Sequence, residues 1–387
     1  MAVRQPFSVD GTTTNESEQR LIAAVREHGP LTRQELAAVT GLSMATINRA
    51  GTALLKQRIL RTQGRQDSTG GRPAELLAYN GGALTVAGIS VTETHASGIV
   101  MSLDGQEVDR LETEFVPSTT GGQLTPEDRL NQTLQLFDQV VQAGQGALAV
   151  GVAVPGVVAG ADGTVSAIHE LGWDRLRLGS ILAGRSPTPV VLENDANCLA
   201  VGEHARGAGH QVDDLVAIVL GNGLGAGLML HGRLYRGRHQ EAGEIGYLLT
   251  GTDSLARLFP GRGDFESRVG SVPVGQQAAA AGLVSPERGI DLPTALALGM
   301  KAGGQGARLA QELLDHCALA LAALCVVLDP ELIILGGRDG LGAIEAIIPA
   351  LRERLLGRIL RVPRIESAAL GQDAIMIGAA QLALEMT

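Results

Sequence analysis

Three cysteines, Cys198, Cys317 and Cys325, are too few and too scattered for a disulfide framework, and no Cys-x-x-Cys pair could seat a metal. Lysine is nearly missing, since 29 of the 31 basic residues are arginine. That bias looks like a codon-usage signature and carries little about mechanism. Long apolar runs are missing too: the longest strongly apolar stretch, Cys317 to Leu328, is too short to span a bilayer. The segment Met1 to Asn15 is polar, with no apolar block of the kind a secretory signal requires. The reading left is a soluble cytoplasmic protein with no membrane partner.

What is present argues for folded, multi-part architecture. Hydrophobic residues make up 45 % and charged residues 19 %, which excludes wholesale disorder. A length of 387 residues suggests two or three structural units. Charge divides unevenly: residues 1–80 carry +3 and residues 81–387 carry −13. An acidic bulk is repelled by nucleic acid and a basic head is not. The plainer reading of the head is an ordinary helical domain with slight basic excess, and charge alone does not choose.

The head reads as a winged helix-turn-helix spanning 16–80, after a flexible tail at 1–15. Asn15 with Glu18 can cap a first helix whose apolar positions are Leu21, Ile22 and Val25. Pro30 stops that helix. Thr32 and Glu35 form a second capping pair ahead of Leu36 and Val39, and Gly41 supplies a tight turn. Ser43 then caps a third helix, Met44 to about Gln57, that buries Ile47, Leu54 and Leu55. This arrangement leaves Met44, Ala45, Thr46, Asn48 and Arg49 outward at the end that enters a major groove, and Ser43 beside them counts among the DNA-contact candidates. Arginine and asparagine suit guanine and adenine edges, and threonine suits phosphate or a thymine methyl. Ile59 to Thr62 and Pro73 to Tyr79 are candidate wing strands, joined by a Gly-rich loop carrying Arg65 and Arg72 for phosphate or minor-groove contact. The alternative, a helical dimerisation cap with a solvated hairpin, explains the caps and the turn less completely.

The body, 81–387, reads as a duplicated α/β fold. Alternating strands at Leu84–Val91 and Thr94–Leu103 recur in grammar at Leu215–Leu220 and Gly223–Leu230. Such a repeat suggests two lobes with ligands between them, near strand ends. Three constellations fall there. Strand Pro189–Leu192 delivers Asn194 and Asp195 to its C-terminal end, where an amide and a carboxylate can grip sugar hydroxyls and the carboxylate can act as base. The plainer reading makes Asp195 or Asn197 the cap of a helix Cys198–Arg206. Gly221, Gly223, Gly225 and Gly227 permit close backbone approach and phosphate cradling, although tight strand turns use glycine as well. Glu244, in Ala242-Gly-Glu-Ile-Gly-Tyr247, can add a second carboxylate, or be one solvated acid among 41.

Taken together, these motifs resemble the ROK family (repressors, open reading frames and sugar kinases). Gly71-Arg-Pro73, Val154-Pro-Gly156, Glu193-Asn-Asp-Ala-Asn197, the 221–227 glycines, Ala242-Gly-Glu-Ile-Gly246 and Leu335-Gly-Gly337 occur in the family's order. The resemblance implies a winged helix-turn-helix on a two-lobed actin/hexokinase-like domain, that is, a duplicated ribonuclease H-like fold. It implies that Asn194, Asp195, Glu244, Tyr247 and Glu266 line a sugar site, with Asp195 a vestigial catalytic base. It also implies that the 221–227 glycines with Gly336 and Gly337 are a vestigial nucleotide loop. Kinase relatives open the body with an Asp-Gly-Gly-Thr-like phosphate motif, whereas this chain has Gly88-Ile-Ser-Val-Thr-Glu93, with Ser90 at the aspartate position. Many members carry a His/Cys zinc knuckle. Tyr247 stands at its histidine position, and Phe259 to Ser267 holds no cysteine. The expected protein is therefore a homo-oligomeric, sugar- or sugar-phosphate-controlled regulator of double-stranded DNA, binding no zinc and lacking kinase activity. The alternative is an ATP-dependent sugar kinase with an added head.

Overall fold

The computed structural model describes residues 15–66, 74–119, 122–144, 146–160, 162–166, 171–221, 223–285, 289–337 and 341–386. The expected tail up to Thr14, Asn222, and the wing loop with Arg72 lie outside them.

Local chemistry builds the head. Helix α1 (Glu16–His28) opens on a capping box: the Asn15 side chain accepts from Glu18 N, and the Glu18 carboxylate accepts from Asn15 N. A two-residue strand β1 (Leu31–Thr32) leads into α2 (Arg33–Thr40), where Thr32 and Glu35 repeat the device. Gly41 ends α2 at φ 69°, the left-handed region where glycine carries no Cβ penalty. Helix α3 (Met44–Lys56) starts at Ser43 and buries Ile47, Ala50, Gly51 and Leu54, while Leu55 is only half-buried. Strands β2 (Leu60–Gln66) and β3 (Ala74–Tyr79) form the wing, with β1 completing an antiparallel sheet in the order β1-β3-β2.

The body is two sheets of like topology. The first comprises β4 (Thr85–Val91), β5 (His95–Ser102), β6 (Glu107–Glu114), β7 (Val150–Val154) and, after the small hairpin β8 (Val157–Ala159) and β9 (Thr164–Ser166), β10 (Val190–Asn194). Helices α4 (Pro126–Ala143) and α5 (Leu178–Ala183) connect its strands. Helix α6 (Asp195–Arg206) crosses to the second sheet, built from β11 (Leu215–Leu220), β12 (Leu224–Leu230), β13 (Arg233–Leu234), then β14 (Leu332–Gly336) and β15 (Arg364–Ser367). Between β13 and β14 come α7 (Asp264–Val269), α8 (Ser271–Ala280), α9 (Leu292–Lys301) and α10 (Gly304–Leu328); α11 (Leu341–Leu355) follows β14 and α12 (Ala374–Met386) ends the chain.

Strand orders are β10-β7-β4-β5-β6 and β13-β12-β11-β14-β15. In each sheet an antiparallel three-strand meander continues into two parallel strands. This is the duplication that the recurring strand grammar announced.

Helices α6 and α12 fill the space between the sheets, packed against each other, β4, β7, β11 and β12. The approach is so close that a Cβ on Gly88 would come 1.9 Å from the Met376 carbonyl oxygen, and one on Gly151 1.8 Å from that of Ala379. Glycine is what lets α12 lie directly on the sheet. Helix α10 is longer than the apolar stretch in the sequence implied. By length and composition it could cross a bilayer, yet Leu309, Leu313, Leu314, Leu321 and Leu324 pack into the second lobe's core with Ile333 and Leu335.

The head is not a separate bead. Leu21, Ile47, Leu54 and Leu77 share one buried cluster with Leu84, Met101, Leu103 and, on α12, Met376 and Leu384. Only the stretch from Asn80 to Leu84 separates β3 from β4. Its hydrogen bonds run both ways: Asn80 N donates to Ile59 O at 2.9 Å and Asn80 Nδ2 to Arg58 O at 2.8 Å. On the body side, Leu103 N donates to Gly81 O at 3.1 Å. The turn that ends α3 is thereby linked to the β5–β6 turn of the first lobe. Arg26 lies over the Tyr79 ring at 5.5 Å, and burial pushes the Tyr79 phenol up to about 12.

Candidate functional site

On α3 the side-chain oxygen of Ser43 accepts from Thr46 N at 3.2 Å and lies 2.9 Å from the Thr46 hydroxyl. That pairing occupies Ser43 with the helix end, as an N-cap. Asn48 and Arg49 are exposed and Thr46 is half-buried. Glu75 of the wing accepts from Arg33 at 3.1 Å, which fixes the sheet against α2. The Arg65 backbone pairs with Glu75 beyond an irregularity at Thr62.

The second cluster begins where β10 ends. Asn194, not Asp195 or Asn197, is the cap of α6: its side-chain oxygen accepts from Ala196 N at 2.9 Å and Asn197 N at 3.1 Å. Its extended backbone, φ −65° and ψ 144°, is that of a capping residue, so the helix starts at Asp195 rather than Cys198. The amide nitrogen of Asn194 donates to Gly156 O at 2.9 Å. Asp195 occupies the first helical position, where the helix dipole favours a carboxylate.

Glu193 precedes them, buried, and accepts from Asn194 N, Asn197 Nδ2 and Arg236 Nε at 2.9, 2.9 and 2.7 Å. Arg236 belongs to the other lobe, just after β13, and the Arg236 carbonyl accepts from Ala242 N at 3.2 Å. At the next residue, Gly243 O accepts from Ala226 N at 2.8 Å, so the loop carrying Glu244 is strung along the β12 edge. A Cβ on Gly243 would lie 1.7 Å from Ala226 O, which leaves no alternative residue there.

Glu244, Tyr247 and Glu266 come together. Burial, then the Glu266 and Glu244 charges, push the Tyr247 phenol up, and its hydroxyl donates to Gly261 O at 2.7 Å. Arg262 Nε stands 3.7 Å from Glu266 Oε1. The segment around Glu266 is organised by a residue that sequence reasoning passed over. Asp264 is fully buried and its Oδ2 accepts from Thr250 N, Thr250 Oγ1 and Ser254 Oγ at 2.7, 2.7 and 2.6 Å. Burial alone would push its carboxyl up; those hydrogen bonds and the Arg268 charge outweigh it and hold Asp264 at about 2. The donor set does not fit zinc: the Tyr247 hydroxyl and the Asp264 carboxylate are engaged with protein. Among the described residues no three His, Cys, Asp or Glu side chains converge as a metal site would need.

The glycines of the proposed nucleotide loop have packing roles of their own. A Cβ on Gly227 would lie 2.2 Å from Ala196 O, one on Gly336 2.7 Å from Leu199, and one on Gly337 2.6 Å from Leu220 O. Gly221 O accepts from Ser271 Oγ at 2.7 Å, and only Gly223 of the four faces open space.

A winged helix-turn-helix packed onto a duplicated, actin/hexokinase-like pair of lobes defines the class: a helix-turn-helix head on a sugar-kinase-type body. The ROK family model matches residues 86–386, and the chain belongs to the ROK family. It is 25 % identical to the xylose repressor of Caldicellulosiruptor bescii over 92 % of each chain. Against the xylose repressor of Bacillus subtilis it is 26 % identical, and the match spans 60 % of the length of each. The N-acetyl-D-glucosamine kinase of Salmonella newport is 31 % identical over 61 % of this chain and 80 % of the kinase. Among solved structures, a ROK family transcriptional regulator described as a homologue of the E. coli MLC protein superposes with a TM-score of 0.76 at 22 % identity, covering 96 % of both chains. Coverage of the head as well as the body is what sets that fold match apart from the kinases.

Proposed function

We propose that this chain is a sequence-specific DNA-binding repressor of sugar-metabolism genes, controlled by a sugar or sugar phosphate held between the lobes of a body that no longer phosphorylates. The observation that carries it is the head–body junction. A reading helix with exposed Asn48 and Arg49 is tied, through Asn80 and Gly81, to a lobe that presents Asn194 and Asp195. In this reading a ligand gripped by Asp195, Glu244 and Glu266 changes lobe closure, and the junction passes the change to α3. Two copies read two half-sites, since a symmetric pair spaces its recognition helices one turn of DNA apart, about 34 Å.

The kinase reading is favoured by one feature, Asp195 at the start of α6, the helix that Gly225 and Gly227 approach. Against it, Ser90 replaces the aspartate that would place metal and phosphate. The test is direct. Selection of DNA fragments on the purified full chain should yield a palindromic operator, and D-xylose, D-glucose or N-acetyl-D-glucosamine should shift its affinity. An ATP-coupled assay on the same sugars should show no turnover. Turnover abolished by Asp195→Asn, with no fragment retained, would overturn the proposal.

A further inference from the structure

A cavity of about 310 Å³ lies among α7, α8 and α10, on a side of α7 that neither the DNA reading nor the inter-lobe reading uses. Its wall carries two guanidinium groups, Arg257 and Arg268, the His316 imidazole, the Gln277 amide and one carboxylate, Glu312. We propose that this cavity is a second effector site, one that takes the phosphate group of a small metabolite.

The donor set is the first reason. Two arginines, an imidazole and an amide converge on one space, and guanidinium forks match the oxygen spacing of a phosphate. Arg257 stacks over the Phe259 ring at 5.5 Å, an arrangement that leaves its N–H edge for an acceptor. Unmet hydrogen-bonding capacity is the second. Arg268 Nε and His316 Nδ1 are shut off from solvent with no hydrogen-bond partner among the described residues, a condition that folded proteins rarely tolerate without a ligand or water. Arg268 Nε has a charge neighbour, Asp264 Oδ1 at 3.4 Å, but the geometry is too poor for a hydrogen bond. The other Asp264 oxygen is committed to Thr250 and Ser254. The charges in and behind the wall are mixed: Arg257 and Arg268 meet Glu312, and Asp264 stands behind Arg268.

The position gives the site a use. Gln277 Nε2 donates to Arg268 O at 3.1 Å, pinning α8 to α7 at the cavity. Arg268 and Glu266 lie on the same turn of α7, so an anion that fixes Arg268 also fixes the helix presenting Glu266.

The experiment is calorimetric titration of the full chain with inorganic phosphate and, separately, D-glucose 6-phosphate. Binding of either probe that Arg257→Ala weakens and Glu244→Gln spares supports the site, and the comparison shows whether the group is taken free or as an ester. Arg257→Ala, which removes an exposed side chain resting on the Phe259 ring, should weaken that binding at least about tenfold, and Glu312→Gln should strengthen it. Glu244→Gln, on the inter-lobe side, should leave inorganic phosphate binding unchanged. No heat from either probe overturns the proposal. So does binding that Glu244→Gln abolishes and Arg257→Ala spares, since that would place the phosphate between the lobes.

Discussion

Arg236 Nε lies 2.7 Å from Glu193 Oε2, and this ion pair spans the two lobes. It joins the strand that ends in Asn194 to the loop that leads to Glu244. Glu193 is buried, so removing its partner leaves a carboxylate with fewer ways to be satisfied. Arg236→Gln should cost about 2–3 kcal/mol of stability. It should also weaken any sugar that binds between the lobes, whereas Arg236→Lys should recover part of both. Chemical denaturation and sugar calorimetry on the same preparations check this.

Asp264 gives an acid-sensitive signature. Its carboxyl titrates near 4 in an unfolded chain and at about 2 here. The folded value is depressed, so the stability it lends is complete above about 4 and is lost as pH falls from there to about 2. Unfolding measured across that window should show the loss, and Asp264→Asn should flatten it. The same substitution should cost about 2 kcal/mol at neutral pH and loosen the segment that presents Glu266.

DNA reading separates into capping and contact. Arg49→Ala should reduce operator affinity by about 1–3 kcal/mol through loss of a base contact, without affecting stability. Ser43→Ala should act the other way round, removing the α3 cap at a cost of about 1 kcal/mol in folding. Electrophoretic mobility shifts paired with thermal unfolding distinguish the two.

The junction has its own test. Asn80→Ala deletes the hydrogen bond to Arg58 O while leaving both binding faces untouched. Operator and sugar should each still bind alone, with the effect of sugar on operator affinity diminished. An undiminished sugar response would show that the signal travels elsewhere.

Much of this was written locally in the chain. Asn15 with Glu18 and Thr32 with Glu35 act within four residues, so the caps and the helices behind them could be read directly. Repeating strand grammar exposed the duplicated lobes for the same reason. Where several side chains compete for one job, the sequence was ambiguous. Asn194, Asp195 and Asn197 are all good caps, and only the extended backbone at the end of β10 selects the first. Helix α10 was underestimated because its first half mixes Gln, Arg and Glu among leucines, hiding a continuous buried stripe. Contacts between distant positions left no local trace. Arg236 meets Glu193 across 43 residues and is one arginine of 29. Asp264 sits in a segment notable only for lacking cysteine, yet it gathers Thr250, Ser254 and Arg268. The continuity of the head's core with α12 depends on residues from opposite ends of the chain, which no periodicity connects.

That shared core and the brief link from Asn80 to Leu84 bear on how such proteins can be recombined. A foreign reader transplanted at Thr85 would arrive without the apolar underside that mates with Leu103 and Met376, and would swing on its tether. A workable graft must carry its own Leu21, Leu54 and Leu77 equivalents, or keep this base and exchange only the outward residues of α3. Under the proposed reading, operator preference is interchangeable one side chain at a time, while the mounting beneath it is not.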